Sequence, residues 1–251
     1  MLLETNDLIS LLRYETYSTN TFEKKRISTL IRTMETNNIC AYLNSNSSLN
    51  LQLIIDKGKG ELQKDFMNLL KSIEIYGVEI DLCNAFARNY NEKNQIIVFD
   101  GILKVIRFYS AVIKITNLLP KPDSTIFMSA AFSLMIDYVQ FGGSLFKLEN
   151  LLGPTAYKNF ENIYFVAVWF LLGHEAGHIQ LNHVLNSSKS ERINYTLEIK
   201  EEINYLQKQE LDADMFAYNS FRNEFRDLSI AGIINFFGPF VFLDNFFTLS
   251  S

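Results

Sequence analysis

The spacing of apolar residues changes along the chain, and this change predicts the order of its elements. Residues 1 to about 43 have the spacing of two amphipathic helices and are followed by a polar loop at 44–48. Residues 61–72 have apolar side chains at helical intervals. Three short apolar runs are typical of strands: 51–56, 75–82 and 95–99. The last two are expected to be joined through 84–87 and a polar turn at 89–94, which predicts a small sheet.

The remainder of the chain has a mainly helical pattern. Asp100 is a suitable N-cap for a helix over 101–117, which Pro120 and Pro122 would end. Further helical patterns follow at 124–140, 155–184, 195–222 and 228–246. Because strands come early and helices come late, the sequence predicts an α+β fold that is mostly helical with a small sheet.

Composition and charge exclude several classes of protein. The chain has 251 residues, of which 48% are hydrophobic and 20% charged, as in a compact globular protein. A net charge of -5 without a basic stripe argues against a nucleic-acid partner. Cys40 and Cys83 are too few for a disulfide framework, which fits a reducing compartment. Acidic Glu4 and Asp7 stand where a secretory signal needs a basic region, so a cytoplasmic location is expected.

Two apolar segments require a comparison with membrane spans. Residues 125–136 are followed by Asp137, and residues 228–243 contain Asn235 and a Gly-Pro break. Since a span needs roughly 20 mostly apolar residues, both segments are predicted to be buried helices. Contact with a membrane surface is not favoured, but it stays an alternative because phenylalanines cluster near the C-terminus: Phe236, Phe237, Phe240, Phe242, Phe246 and Phe247.

All three histidines of the chain fall within ten consecutive residues, in and just after a His-Glu-x-x-His motif. On a helix, His174 and His178 would share one face with Cβ atoms about 6 Å apart. Two imidazoles at that separation can bind one zinc ion. Glu175 would lie beside the ion, placed to take a proton from a water molecule bound there. The alternative is a pair of core histidines bonded to backbone carbonyls.

A catalytic zinc site needs a third protein ligand. A metzincin would have histidine at 184, but that residue is Val184, and His183 is one position short. Glu210 and Asp214 lie on an otherwise apolar face of the helix predicted over 195–222, where carboxylates are costly unless paired or metal-bound. We predict Glu210 as the third ligand and Asp214 as acceptor for a ligand imidazole N–H. The alternative is a solvated acidic face, and His183 is assigned a structural or supporting role.

These residues resemble a family of peptidases. The His-Glu-Ala-Gly-His motif, together with Glu210 and its Leu-Asp-Ala-Asp continuation, resembles the gluzincin zinc metallopeptidases of the CaaX-protease and HtpX group. The segment Asn84-Ala85-Phe86-Ala87 resembles that group's Asn-Ala-Phe-Ala segment, and the whole resemblance covers about 84–218. A second resemblance is to the Lit-type phage-exclusion peptidases, which also have His-Glu-x-x-His and act on a cytoplasmic host protein.

The first resemblance implies a zincin-like metallopeptidase domain, which we assign to 49–251 with a helical insertion at about 118–160. The apolar spacing before it assigns 1–48 to an N-terminal helical region. The resemblance also implies an active-site helix, a second ligand helix, and an edge strand near Asn84, Ala85, Phe86 and Ala87 on which an extended substrate adds as another strand. The alternative for this segment is a structural turn in which Asn84 bonds the backbone.

The sequence therefore predicts a zinc-dependent endopeptidase with one Zn²⁺ ion and a protein or peptide substrate. Four residues are candidates for a donor to the oxyanion: Tyr195, Tyr205, Tyr218 and Arg222. The competing hypotheses are a non-catalytic protein stabilised by zinc, with His183 closing the site as a fourth ligand, and a peripheral membrane protein. The substrate and the oligomeric state are left open.

Overall fold

The computed structural model describes residues 43–44, 51–78, 81–90, 92–141, 145–186, 198–225, 227, 230–231, 233–234 and 236–239. Its strands are β1 (Leu43–Asn44), β2 (Glu74–Val78), β3 (Ala85–Tyr90) and β4 (Lys93–Phe99). Its helices are α1 (Leu51–Lys57), α2 (Lys64–Ser72), α3 (Asp100–Thr116), α4 (Lys121–Phe141), α5 (Pro154–Gln180), α6 (His183–Asn186) and α7 (Glu198–Asn219). The α+β prediction, mostly helical with a small sheet, is confirmed. The helices predicted before residue 43 and much of the one at 228–246 lie outside the described residues.

Among the described residues the sheet has the order β1-β2-β4-β3, so β3 is an edge strand of that sheet. Strand β2 runs parallel to β4, whereas β3 pairs with β4 in antiparallel register, with Ala87 opposite Ile96. Ile96 and Val98 are fully buried in a core shared with α5. The sheet therefore holds its edge strand β3 against the central helix.

Helix α5 is the centre of the fold. Residues 164–177 are buried on every side of this helix, which packs along α7 and also contacts α3 and β3. A helix that is apolar all round belongs in a protein core. Trp169 anchors it to α1 by donating its indole N–H to the carbonyl of Ile54 at 2.7 Å. The His-Glu-x-x-His motif is thus carried by a stretch of helix that the core encloses.

The strand predicted at 51–56 is wrong, because these residues belong to helix α1. Leu51, Ile54 and Ile55 are buried, whereas Leu53 is 48% exposed. That is the i, i+3, i+4 spacing of one helix face. An apolar run of five or six residues does not distinguish the two structures by periodicity alone.

The connection predicted through 84–87 and 89–94 is also wrong. Residues from Ala85 to Tyr90 form strand β3, and only a tight turn, with Glu92 at a φ of 63°, separates it from β4. Strand β2 is correspondingly shorter than predicted and ends at Val78. The extra strand lies along α5 and becomes part of the site described below.

Three helix boundaries also differ from the prediction. Asp100 is the first residue of α3 rather than its N-cap, and α3 ends at Thr116, before Pro120 is reached. The helix predicted over 155–184 ends at Gln180, and a turn with Asn182 at a φ of 59° separates it from α6. The left-handed conformation of Asn182 cannot continue a right-handed helix.

The predicted division at residue 48 and the insertion at 118–160 stay predictions, although α4 lies within the latter range. Among the described residues, no helix combines the length and apolar character that crossing a membrane requires.

Candidate metal centre

Small residues bring α5 and α7 unusually close together. A Cβ atom added at Gly173 would lie 3.0 Å from the Cα of Ala217, and one at Gly177 would lie 3.0 Å from the Cα of Ala213. Both alanines are fully buried. Because the two backbones approach this closely, short side chains of α7 can reach the motif on α5.

We expect Gly177→Val to separate these helices and to lower stability. The new side chain would enter the space beside Ala213 and Phe216, whose Cβ lies only 3.1 Å from the added Cβ position. Overpacking of this kind costs about 1–3 kcal/mol, which at this chain length lowers the melting temperature by several degrees. The melting temperature is measured by thermal unfolding, with circular dichroism as the signal. Gly60→Val is the control, because nothing lies within 4 Å of its added Cβ, and equal losses in both variants would contradict the explanation.

The two motif histidines and Glu210 converge on one point. The Nε2 atoms of His174 and His178 lie 3.1 Å apart. Glu210 reaches both, with its carboxylate oxygens 3.3 Å from the Nε2 of His174 and 3.6 Å from that of His178. Among the described residues these three form a group whose donor atoms lie within 4.8 Å of one another, so they could bind one metal ion.

Each histidine has a second contact through its other ring nitrogen. The Nδ1 of His174 lies 2.8 Å from a carboxylate oxygen of Asp214. The Nδ1 of His178 lies 3.1 Å from the Nδ1 of His183. Both rings thus contact acids and other histidines. The side chain of Glu210 is 61% exposed, yet its carboxylate lies against both motif histidines.

Glu175 is buried next to this group, with only 6% of its surface exposed. Its carboxylate accepts a hydrogen bond from the backbone N–H of Ala87 in β3. The pairing of β3 explains this contact. The N–H of Phe99 donates to the carbonyl of Asn84, so residues 84, 86, 88 and 90 face β4. The backbone groups of Ala85, Ala87 and Asn89 must point the other way.

The electrostatics of the group follow from burial and from these hydrogen bonds. Burial lowers the pKa of His174, but hydrogen bonds with Asp214 and Glu210 outweigh that effect and raise the pKa to about 10. Hydrogen bonds with His174 and His178 hold the pKa of Glu210 well below its usual range. Burial raises the pKa of Glu175, although both histidines oppose the shift. Burial and the neighbouring His178 lower the pKa of His183.

The proton on His174 is expected to stabilise the metal-free protein. Its pKa is about 10 in the folded chain, compared with 6.5 for an ordinary histidine. A raised folded pKa contributes stability that is complete below pH 6.5 and is lost as the pH rises toward 10. Thermal unfolding of chelator-treated protein should therefore show a midpoint that falls across this range. Asp214→Asn should flatten the profile, and an equally steep fall in that variant would contradict the cause.

The predicted substrate-binding residues at 84–87 differ in what they contact. Asn84 accepts a hydrogen bond from the N–H of Ala85 at 2.8 Å through its own side chain, as the structural alternative for this segment expected. Phe86 is half-buried against Phe99, with ring centroids 6.1 Å apart. Ala87 contacts Glu175 through its backbone N–H.

The four residues predicted as candidate donors to the oxyanion receive little support from the structure. Tyr195 and the side chain of Tyr205 lie outside the described residues. Tyr218 is half-buried on α7, one turn beyond Asp214. Arg222 donates to the carbonyl of Leu62 at 3.3 Å, which holds it at the far end of that helix.

Sequence reasoning missed two features of this centre. The donor at Ala87 is a backbone N–H, which leaves no side-chain signal in the sequence. The close approach of α5 and α7 did have a signal, since Gly173 and Gly177 are four residues apart, as are Ala213 and Ala217. Small residues at that interval lie on one helix face and permit such packing.

A model of the Peptidase U49 family matches residues 119–234, a stretch that contains both α5 and α7 and hence the whole metal group. No curated protein and no solved structure matches the chain. The family match fits the resemblance to Lit-type peptidases, and it does not confirm the one to the CaaX-protease and HtpX group. Over residues 119–234 the chain is similar to the Peptidase U49 family, and this similarity supports a peptidase.

Proposed function

We propose that this protein is a zinc-dependent endopeptidase in which His174, His178 and Glu210 hold one Zn²⁺ ion and Glu175 is the general base. The observation that carries the proposal is the convergence of three donor atoms beside a buried carboxylate. The family match, which covers all four residues, supports the same class of activity.

The donor set fits a catalytic zinc ion. With zinc–ligand bonds of about 2.0–2.1 Å, two donors of a tetrahedral ion lie roughly 3.3 Å apart. The Nε2 atoms of His174 and His178 lie 3.1 Å apart, one carboxylate oxygen of Glu210 lies 3.3 Å from the Nε2 of His174, and its other oxygen lies 3.6 Å from the Nε2 of His178. Two imidazoles and one carboxylate are also the donors of catalytic sites that keep a fourth position for water.

Residues of the chain would carry out proton transfer and hold the carboxylate in position. A zinc ion held by His174, His178 and Glu210 would lower the pKa of a bound water and polarise a carbonyl oxygen. Glu175 would accept a proton from the attacking water and then give it to the amine that leaves as the peptide C–N bond breaks. Its raised pKa suits both steps, since a carboxylate that holds its proton more tightly is a better base. The hydrogen bond from the N–H of Ala87 would keep the Glu175 carboxylate oriented during the interval between the two proton transfers.

Strand β3 is the proposed site for the substrate. It is an edge strand of the described sheet, and its outward backbone groups face the helix that carries Glu175. Because the N–H of Ala87 is held by Glu175, an extended peptide would add to this edge through the other outward backbone groups, including those of the exposed Asn89. Main-chain hydrogen bonds of this kind bind without dictating side chains. The proposed substrate is therefore an extended segment of a protein or peptide.

A zinc-stabilised protein without activity is the second candidate, and the position of His183 argues against it. A structural zinc site is normally closed by four protein ligands. His183 contacts the Nδ1 of His178, which is the ring nitrogen opposite the converging Nε2. Within the described ranges, no further acid, histidine or cysteine joins the group of three.

A role on a membrane surface has less support. Of the clustered phenylalanines, Phe236 is buried and its ring centroid lies 5.6 Å from that of Phe170 in α5. Phe237 contacts Phe170 as well, at 5.8 Å. These two rings are part of the core, and the others lie outside the described residues.

The direct test combines metal analysis with a search for cleavage products. Purified protein should contain one zinc ion, lose activity on chelation and regain it with added zinc. New N-termini in a cell lysate treated with wild type, but not with Glu175→Gln, would identify the substrate. A protein that binds no zinc, or that cleaves equally after chelation, would refute the proposed chemistry.

A further inference from the structure

His183 reaches His178 only because the helix is interrupted between them. In an uninterrupted helix, a residue five positions further on lies about 140° around the axis and faces away. The turn at Leu181 and Asn182 redirects the chain, and α6 then packs against both α5 and β3. As a result, the two imidazole rings meet edge to face, with centroids 5.2 Å apart and Nδ1 atoms 3.1 Å apart.

The contact between two ring nitrogens constrains both protons. For a hydrogen bond, one Nδ1 must carry the hydrogen and the other must present a lone pair. The Nε2 of His178 faces the Nε2 of His174 and the carboxylate of Glu210, where a ligand needs its lone pair. A His178 that binds metal through Nε2 would therefore carry its hydrogen on Nδ1 and donate it. His183 would then accept through Nδ1 and carry its own hydrogen on Nε2.

We propose that His183 is a positioning residue that fixes the tautomer and the ring orientation of His178, so that Nε2 is presented to the metal. The inference rests on the proposed function and assigns His183 a specific task within it. The two ligand histidines then have unlike partners. Asp214 is a carboxylate and serves His174 at 2.8 Å, whereas His183 is a neutral ring and serves His178. Partners of this kind typically contribute 10–100-fold to metal affinity or activity.

Side-chain geometry offers a matched set of variants. Asparagine places its carbonyl oxygen one bond from Cγ, where the Nδ1 of His183 stands, whereas glutamine places it one bond further along the chain. We expect His183→Asn to keep zinc affinity within about threefold of wild type. His183→Ala and His183→Gln should weaken it by about 10–100-fold. Competition with a chromophoric chelator measures the zinc affinity of wild type and of the three His183 variants.

A second measurement separates positioning from mere packing. In ¹⁵N-labelled protein, the imidazole nitrogen shifts should show the His178 hydrogen on Nδ1 in wild type and in His183→Asn. His183→Ala should show a mixture of tautomers in the metal-free state. A merely structural role would instead lower the melting temperature of metal-free His183→Ala and leave the tautomer unchanged.

The failures are distinguishable. If wild type binds zinc but His183→Ala binds it equally well, or His183→Asn is as weak as His183→Ala, the positioning role is overturned and the proposed function stands. If wild type binds no zinc, both are overturned.

Discussion

Glu175→Gln is expected to reduce peptide hydrolysis by about 10²–10⁴-fold while leaving zinc content unchanged. An amide cannot accept the proton of the attacking water, and general acid–base catalysis contributes about 10²–10⁴-fold. The amide oxygen can still accept the N–H of Ala87, so the local geometry should persist. Because the substitution removes a carboxylate that is only 6% exposed, the melting temperature should be equal or higher.

Single-turnover cleavage and metal analysis on the same preparation test this expectation. Glu161→Gln provides the control, because Glu161 lies on the same helix but outside the metal group. It should retain both zinc and activity. Unchanged cleavage by Glu175→Gln would refute the role of the carboxylate as base. Loss of zinc in that variant would instead make Glu175 part of the binding site.

The residues of the candidate centre were predictable because helical periodicity fixes their relative positions. His174 and His178 are four positions apart, as are Glu210 and Asp214, so each pair had to share a face. An acid on a stripe that also contains Ala213 and Ala217 needs a partner in the core. The structure brings these predicted residues together at 2.8–3.6 Å.

The secondary-structure predictions that were wrong concern features that the periodicity of apolar residues does not determine. The buried run from Leu51 is short enough to be read as either strand or helix, and only packing against Trp169 and its neighbours decides between them. Strand β3 is polar at its outer end, where Asn89 and Tyr90 are exposed, so its pattern is typical of a turn. The break at Asn182 depends on one left-handed residue, which an asparagine permits but does not require.

Glu210→Ala is expected to weaken zinc binding by more than about 100-fold and to abolish activity with it. Two imidazoles alone leave the ion without its only anionic ligand, and loss of a direct ligand should exceed the 10–100-fold typical of supporting residues. The fold should hardly change. The side chain is 61% exposed, and exposed ion pairs contribute at most about 1 kcal/mol. Zinc titration and thermal unfolding of the metal-free protein measure the two effects separately.

The control for this variant is Asp212→Ala, which also removes one carboxylate from α7 but lies outside the group of three donors. If Glu210 belonged to a solvated acidic face, both variants would change zinc affinity equally, through net charge alone. A metal ligand predicts a large loss for Glu210→Ala and a small one for Asp212→Ala. Full zinc retention in Glu210→Ala would place the third ligand elsewhere. It would also make the convergence of its oxygens on His174 and His178 an ion pair that stabilises the metal-free protein, rather than a binding site.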